Sequence, residues 1–266
     1  MSQSNNCVLI GEQSLLIQCA EILLASGQKI QLIVSSDESI INWSDKNTIR
    51  CISFQELPEV IKNLKGNVDY LFSITNLQYL SNDILSIPAK QAINFHDGPL
   101  PEYAGLNVPV WAIINGETEH GITWHEMNEQ FDNGRILNKT VFPIEQDETA
   151  FTLNAKCYDA AIEGFKKLLN DILSNQLIQT EQQSNHLNYY KKCQKPTQAP
   201  LISYTSDVED VDKLVRALNY GGYWNPVGMP KLMIGESVYI VTDAQIISDE
   251  KHHPGEIIAV DTNQIS

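Results

Sequence analysis

The chain has 266 residues, 42% of them hydrophobic, and 18 Lys and Arg against 33 Asp and Glu give a formal net charge of −15 at pH 7. Such a composition belongs to a folded globular protein rather than a disordered one, and the charge argues against nucleic acid or an anionic membrane surface as partner. No apolar run reaches the roughly 18 residues that span a bilayer, and residues 1–6 lack the basic and apolar regions of a secretory signal.

Cys7-Val8-Leu9-Ile10-Gly11 reads as a buried first strand. Ser14 is placed to cap a helix in which Leu15, Leu16, Cys19, Ile22 and Leu23 recur at helical spacing until Gly27 stops it. Residues 30–34 form the second strand, and this β-α-β opening predicts an α/β fold with a doubly wound, mostly parallel sheet. The first turn, Gly11-Glu12-Gln13-Ser14, lacks the later glycines of the dinucleotide fingerprint, which argues against a nicotinamide cofactor. Residues 69–74 and 92–95 read as further strands with a helix over 82–87 between them, and 121–125 and 136–142 alternate as strands. The longest helix is expected over 149–173, with Phe151, Ala155, Tyr158, Ile162, Phe165 and Leu169 along its apolar stripe.

A main domain over 1–180 is therefore expected, followed by a polar surface linker over 181–204. Residues 205–266 read as a small β-rich subdomain opened by a helix that Thr205-Ser206-Asp207 caps and Gly221-Gly222 halts, with turns at Asn225-Pro226, Met229-Pro230 and His253-Pro254-Gly255. The sequence stops after the Asp261-Thr262-Asn263 turn, where another strand is due, so this subdomain is expected to be truncated, a piece of a longer protein. Its stretch from Asp207 carries four Lys and Arg against ten Asp and Glu, a net −6, the opposite of an RNA-gripping tail. Five cysteines, Cys7, Cys19, Cys51, Cys157 and Cys193, are odd in number and form no CxxC pair. They read as reduced thiols of a cytoplasmic protein with neither a disulfide frame nor a zinc site. The adjacent His252-His253 pair cannot share one strand face and is not read as a metal site.

The chemistry concentrates in Asn94-Phe95-His96-Asp97, a strand end that leads into Gly98-Pro99. Asn94 and His96 fall on one face by strand alternation. Asp132, in Asp132-Asn133-Gly134, belongs to a loop that can fold over the same end. Taken singly, His96 reads as a structural hydrogen-bonder, Asn94 as a strand-end residue and Asp132 as a turn residue. Taken together they offer an imidazole, an amide donor and a carboxylate to one acyl carbon. No serine or cysteine sits in a nucleophile elbow, so direct attack by an external amine fits better than a covalent intermediate. Trp111, Ala112 and Ile113 read as core.

Asn94-x-His96, Leu100-Pro101-x-Tyr103-x-Gly105, Trp111-Ala112, Gly116-Glu117, Gly121-Ile122-Thr123 and Asp132-x-Gly134 resemble the formyltransferases that use 10-formyltetrahydrofolate. The resemblance implies a catalytic set of Asn94, His96 and Asp132. It also implies a folate site between Gln78, Tyr79 and Leu80 on one side and Asn128, Glu129, Gln130 and Phe131 on the other, bound largely through backbone groups. Three departures stand out: Gly98-Pro99-Leu100-Pro101 where Ser-Leu-Leu-Pro is usual, Ala104 where arginine is frequent, and Gln130 where glycine is common. With these departures the chain is similar to the formylation domain that opens some nonribosomal peptide synthetases. That similarity implies a carrier-bound aminoacyl amine as acceptor and an adenylation domain downstream. The alternative acceptor is a nucleotide-linked amino sugar; methionyl-tRNA fits the acidic tail poorly.

Overall fold

A computed structural model describes residues 4–183, 188–197, 201–246, 253 and 256. The His252-His253 pair, the turn at His253-Pro254-Gly255 and the turn at Asp261-Thr262-Asn263 lie wholly or partly outside these residues. By spatial proximity the chain divides into two compact units. One comprises Met1–Val108, Glu119–Phe142 and Ala155–Tyr190; the other comprises Pro109–Thr118, Pro143–Asn154 and Lys191–Ser266.

The first unit is built on β1 (Asn6–Gly11), α1 (Gln13–Ala25), β2 (Lys29–Val34), α2 (Glu38–Lys46), β3 (Cys51–Ile52), α3 (Leu57–Leu64), β4 (Tyr70–Ile74), α4 (Asn82–Leu85), β5 (Gln91–His96) and β6 (Tyr103–Gly105). Beyond α5 (Val108–Ile114), which falls almost wholly in the second unit, come β7 (Glu119–Glu126), β8 (Ile136–Pro143) and the long α6 (Ala150–Leu173), whose first residues, to Asn154, also belong to the second unit. Seven strands form one sheet in the order β3-β2-β1-β4-β5-β7-β8. The pairings from β3 to β5 are parallel and β7 runs antiparallel to β5, which makes the doubly wound, mostly parallel α/β sheet expected.

Alternation sends the two faces of each strand into different cores. Cys7, Leu9, Phe72, Phe95 and Trp124 join α1 and α6, whereas Val8, Ile10, Leu71 and Ala92 join α3 and α4. The first core is organised by rings: Phe165 of α6 lies 5.2 Å from Phe72 and 5.0 Å from Trp124 between centroids. The buried side of α6 within this core is Cys157, Ala161, Phe165, Leu168, Leu169 and Ile172. This corrects the expected stripe, because Phe151 is 42% exposed and stacks on Tyr223 at 5.7 Å. A helical stripe drifts around the axis, and 24 residues are long enough for its two ends to face different neighbours.

Two caps also differ. Helix α1 starts at Gln13 without a side-chain cap, and the Gln13 amide donates instead to the Asp37 carboxylate at 3.2 Å, so Ser14 is not needed. Gly11 owes its identity to a close approach: a Cβ there would stand 1.7 Å from the Ile74 carbonyl oxygen of β4. Within the segment read as linker, β9 (Asn188–Tyr190) pairs parallel with β6, and Tyr190 stacks on Tyr103 at 5.6 Å. Trp111, Ala112 and Ile113 are buried, as core residues should be.

In the second unit α7 (Val208–Ala217) follows Asp207, which makes no capping bond through its side chain. Asn225 holds the following turn, donating to the Leu218 carbonyl and accepting from the amides of Val227 and Gly228. A hairpin of β10 (Lys231–Ile234) and β11 (Ser237–Ile240) is the last regular element among the described residues. No helix among the described residues is long and apolar enough to cross a membrane.

Phe165→Ala is expected to lower the unfolding free energy by about 3–5 kcal/mol, the usual range for removing a fully buried aromatic ring. Phe151→Ala should cost distinctly less. Urea denaturation of both variants measures the contrast, and equal losses would refute the assignment of the buried face of α6.

Candidate active site

The site grows from the outer end of β5. Asn94 and His96 share a face with Ala92, so both stand on the α3–α4 side of the sheet. Antiparallel register sets His125 of β7 opposite Asn94 and Thr123 opposite His96. Directly opposed side chains of paired strands lie on one face, so the pairing gathers two imidazoles, an amide and a hydroxyl.

Partners fix where the protons sit. His125 Nδ1 lies 2.9 Å from the Glu126 carbonyl, which only accepts, so Nδ1 carries the proton and donates. Its Nε2 then accepts from Asn94 Nδ2 at 3.1 Å. Burial pushes the His125 pKa down, which keeps this neutral form. His96 has the opposite arrangement: Nε2 donates to the Tyr103 carbonyl at 2.6 Å and Nδ1 faces the site.

Asp132 is the shared carboxylate. Its Oδ1 lies 3.8 Å from His96 Nδ1 and 3.7 Å from His125 Nε2, and its Oδ2 accepts from the Gly105 amide at 2.9 Å. Asp132 has a φ of 52°, a left-handed conformation that Asp tolerates better than most residues. Gln182 Nε2 donates to the carbonyls of Asp132 and Gly134 at 3.0 and 2.6 Å. Gly134 must be glycine, since a Cβ would stand 1.8 Å from the Glu126 carbonyl oxygen.

Next to His96, Asp97 brings a second carboxylate, with Oδ1 3.9 Å from the same Nδ1. Its side chain is 32% exposed, yet packing raises its pKa, His96 lowers it in part, and Asp132 raises it further. The Asp97 carbonyl accepts from His120 Nε2 at 2.9 Å, and burial drives the His120 pKa down to about 4. Thr123 Oγ1 donates to the Gly98 carbonyl at 2.8 Å and accepts from the Leu100 amide at 3.0 Å. A Cβ at Gly98 would stand 2.6 Å from the Tyr103 oxygen and 2.8 Å from His96 Nε2. Glycine at 98 is therefore what lets His96 reach Tyr103.

The two loops expected at the folate site also meet. Tyr79 and Phe131 are 61% and 63% exposed, with ring centroids 5.9 Å apart, and Asn82 Nδ2 donates to Glu129 Oε1 at 2.7 Å. Asx turns shape both loops: Asn76 Oδ1 accepts from the Gln78 amide, and Asn128 Oδ1 from the Gln130 amide. Leu80 is buried in the α3–α4 core, leaving only its backbone for a ligand. Exposed rings beside turn backbone suit a flat, hydrogen-bonding heterocycle.

Asn94, His96 and Asp132 thus come together as the sequence pattern implies, whereas His125, His120 and Gln182 join them without having been singled out, and Asp97, named only as part of the motif, adds a second carboxylate. The alternation of Thr123 and His125 puts both on one face of a strand, but their pairing with β5 is not written in it. Nothing marks Gln182 within a Gln-rich run. No cluster suited to a metal ion occurs among the described residues.

Residues 43–169 match the family model described as formyl transferase. The bifunctional polymyxin resistance protein ArnA of Wigglesworthia glossinidia brevipalpis is 32% identical over 169 residues, which are 60% of this chain and 25% of that protein. The chain thus spans about a quarter of the length of that relative. A 4-N formyltransferase structure from Francisella tularensis superposes with a TM-score of 0.72 at 19% identity, covering 91% of this chain and 99% of that one. The N-formyltransferase of Helicobacter canadensis, solved with folinic acid and dTDP-3-aminofucose, gives 0.69 at 19% identity, covering 88% and 85%. The fold is the one these formyltransferases share.

Nitrogen-resolved NMR at neutral pH should find His125 protonated on Nδ1 and His120 on Nε2, both neutral. A His125 tautomer protonated on Nε2 would overturn the Asn94 assignment. The folded-state pKa of His120, about 4, lies below its ordinary 6.5. The folded state therefore binds fewer protons there, and the contribution of His120 to stability, full above pH 6.5, is lost as the pH falls toward 4.

Proposed function

We propose that the protein transfers a formyl group from 10-formyltetrahydrofolate to a primary amine. The observation that carries this reading is the convergence of Asn94, His96 and Asp132 on one strand end, with the Tyr79 and Phe131 loops meeting one another. The family match over residues 43–169, and a relative solved with folinic acid, support the same chemistry.

The donor supplies an activated formyl carbon, and the remaining roles fall to side chains. One amide proton of Asn94 is engaged by His125, leaving the other for the oxygen that gains charge as the amine adds. Since His96 Nε2 is committed to Tyr103, Nδ1 is the nitrogen that works, donating to that oxygen or exchanging a proton with Asp132. Asp132, anchored by the Gly105 amide, relays the proton from the attacking to the leaving nitrogen. No enzyme nucleophile is required.

For the acceptor, two readings rest on different observations. A nucleotide-linked amino sugar is favoured by the solved relatives, one of which holds dTDP-3-aminofucose. A carrier-bound aminoacyl amine is favoured by charge. Arg135 and Lys139, the cations following the Asp132 loop, are already engaged by Glu126 and Glu102 at 2.7 Å, which leaves them poorly suited to a pyrophosphate. Side-by-side assays with an aminoacyl carrier protein and with a dTDP-linked amino sugar separate the two.

His96→Ala and Asn94→Ala should each lower kcat by about 10²–10³, the usual cost of one such donor, with folate affinity little changed. Near-normal turnover of His96→Ala would falsify this reading.

A further inference from the structure

We propose that Asp97 is the acceptor-binding carboxylate, which receives the incoming amine as an ammonium ion and takes its first proton. The inference rests on the formyl-transfer reading and deepens it.

An amine that is basic enough to attack a formyl carbon arrives largely as R–NH3+ at neutral pH. It must lose one proton before its lone pair is free, and a second after the new C–N bond forms. The second proton goes to the nitrogen that leaves, so it stays within the site. The first has to go elsewhere, and net transfer releases one proton to solvent. A base in contact with both the reacting centre and water is therefore required.

Asp132 suits the second proton. Its Oδ2 is taken by the Gly105 amide, its Oδ1 lies between two imidazoles, and its side chain is only 15% exposed. Asp97 suits the first. Its Oδ1 lies 3.9 Å from the working nitrogen of His96, beyond hydrogen-bond distance, and 32% of its side chain faces solvent. Among the described residues its carboxyl takes a hydrogen bond only from its own amide, leaving lone pairs for an ammonium. The groups facing it are His96 beside it, Asp132 from the loop after β7, and Tyr158 from α6, whose own pKa burial and Asp97 push up. Near a second carboxylate and partly buried, Asp97 is a stronger base than an ordinary aspartate, which suits proton capture.

Its backbone is held independently of its carboxyl, because the Asp97 carbonyl accepts from His120 Nε2. The step balances: an N–H bond of R–NH3+ breaks as an O–H bond forms on Asp97, and the freed lone pair makes the C–N bond. The leaving folate nitrogen receives the second proton through Asp132, and Asp97 returns the first to solvent.

The test combines binding and turnover. Carboxyl-carbon NMR of the full chain, with the Asp97 signal identified by its loss in Asp97→Asn, is titrated with valinamide, with N-acetylvalinamide, and with a dTDP-linked amino sugar. A saturable shift of Asp97 by at least one of the two amines, and none by the acetylated control, is expected. In assays, Asp97→Asn should cut kcat/KM for the acceptor by about tenfold or more, equivalent to about 1.4 kcal/mol, leave folate affinity unchanged, and lose the acidic limb of the pH–rate profile. Asp97→Glu should recover part of it. No Asp97 shift with either amine, or an Asp97→Asn enzyme with wild-type acceptor KM and pH profile, overturns the proposal while formyl transfer stands. A saturable shift in a protein that transfers no formyl group sinks the formyl-transfer reading and leaves the ammonium site.

Discussion

The hydrogen bond from the Gly105 amide to Asp132 Oδ2 is the constraint on which the site depends. It joins two segments far apart in sequence, the strand after the Gly98-Pro99 turn and the loop leaving β7. With one oxygen held by a backbone donor, the other is fixed between His96 and His125. A backbone amide is a better anchor than a side chain because it has no rotamers to lose. The same tie explains the surrounding glycines. Gly105 adopts a φ of 97° and passes so close to Tyr190 that a Cβ would stand 2.2 Å from its carbonyl oxygen. Gly134 lets the loop close onto β7.

Two of the three histidines in this small region carry a proton on Nε2 and the third on Nδ1, and in each case the deciding partner is a carbonyl. His96 gives its Nε2 proton to Tyr103, His120 its Nε2 proton to Asp97, and His125 its Nδ1 proton to Glu126. A carbonyl cannot donate, so each contact fixes a tautomer and decides which nitrogen remains. For His125 the remaining nitrogen orients Asn94; for His96 it faces two carboxylates. Buried and neutral, His120 and His125 add no positive charge that would compete with a cationic acceptor.

Much of this could be read in the chain, and the limits of that reading are physical. Parallel central strands announce themselves as short apolar runs, so β1, β2, β4 and β5 are legible, and with them the face that carries Asn94 and His96. The long helix is legible in extent, although its buried face is not, because Phe151 and Phe165 look alike to a periodicity that ignores where each end of the helix packs. Residues whose roles depend on remote pairing were harder. His125 matters because β7 runs antiparallel to β5 in a particular register, and Gln182 because its segment returns to the Asp132 loop. Neither fact is local to the sequence around the residue.

Asp97 and the glycine that follows it act together on His96. A side chain at 98 would press on both His96 Nε2 and the Tyr103 carbonyl, so the 2.6 Å contact between them requires glycine. That contact commits Nε2 and turns Nδ1 toward the site, where the neighbouring residue determines what Nδ1 meets. With aspartate at 97, the imidazole edge faces a second carboxylate that is more open to solvent than Asp132. The strand end then has two acidic groups with separate tasks under the proposed chemistry, an enclosed one for the proton that stays and an open one for the proton that leaves. A small apolar residue at 97 would keep the first and remove the second, so acceptor recognition can change here without disturbing Asn94, His96 or Asp132.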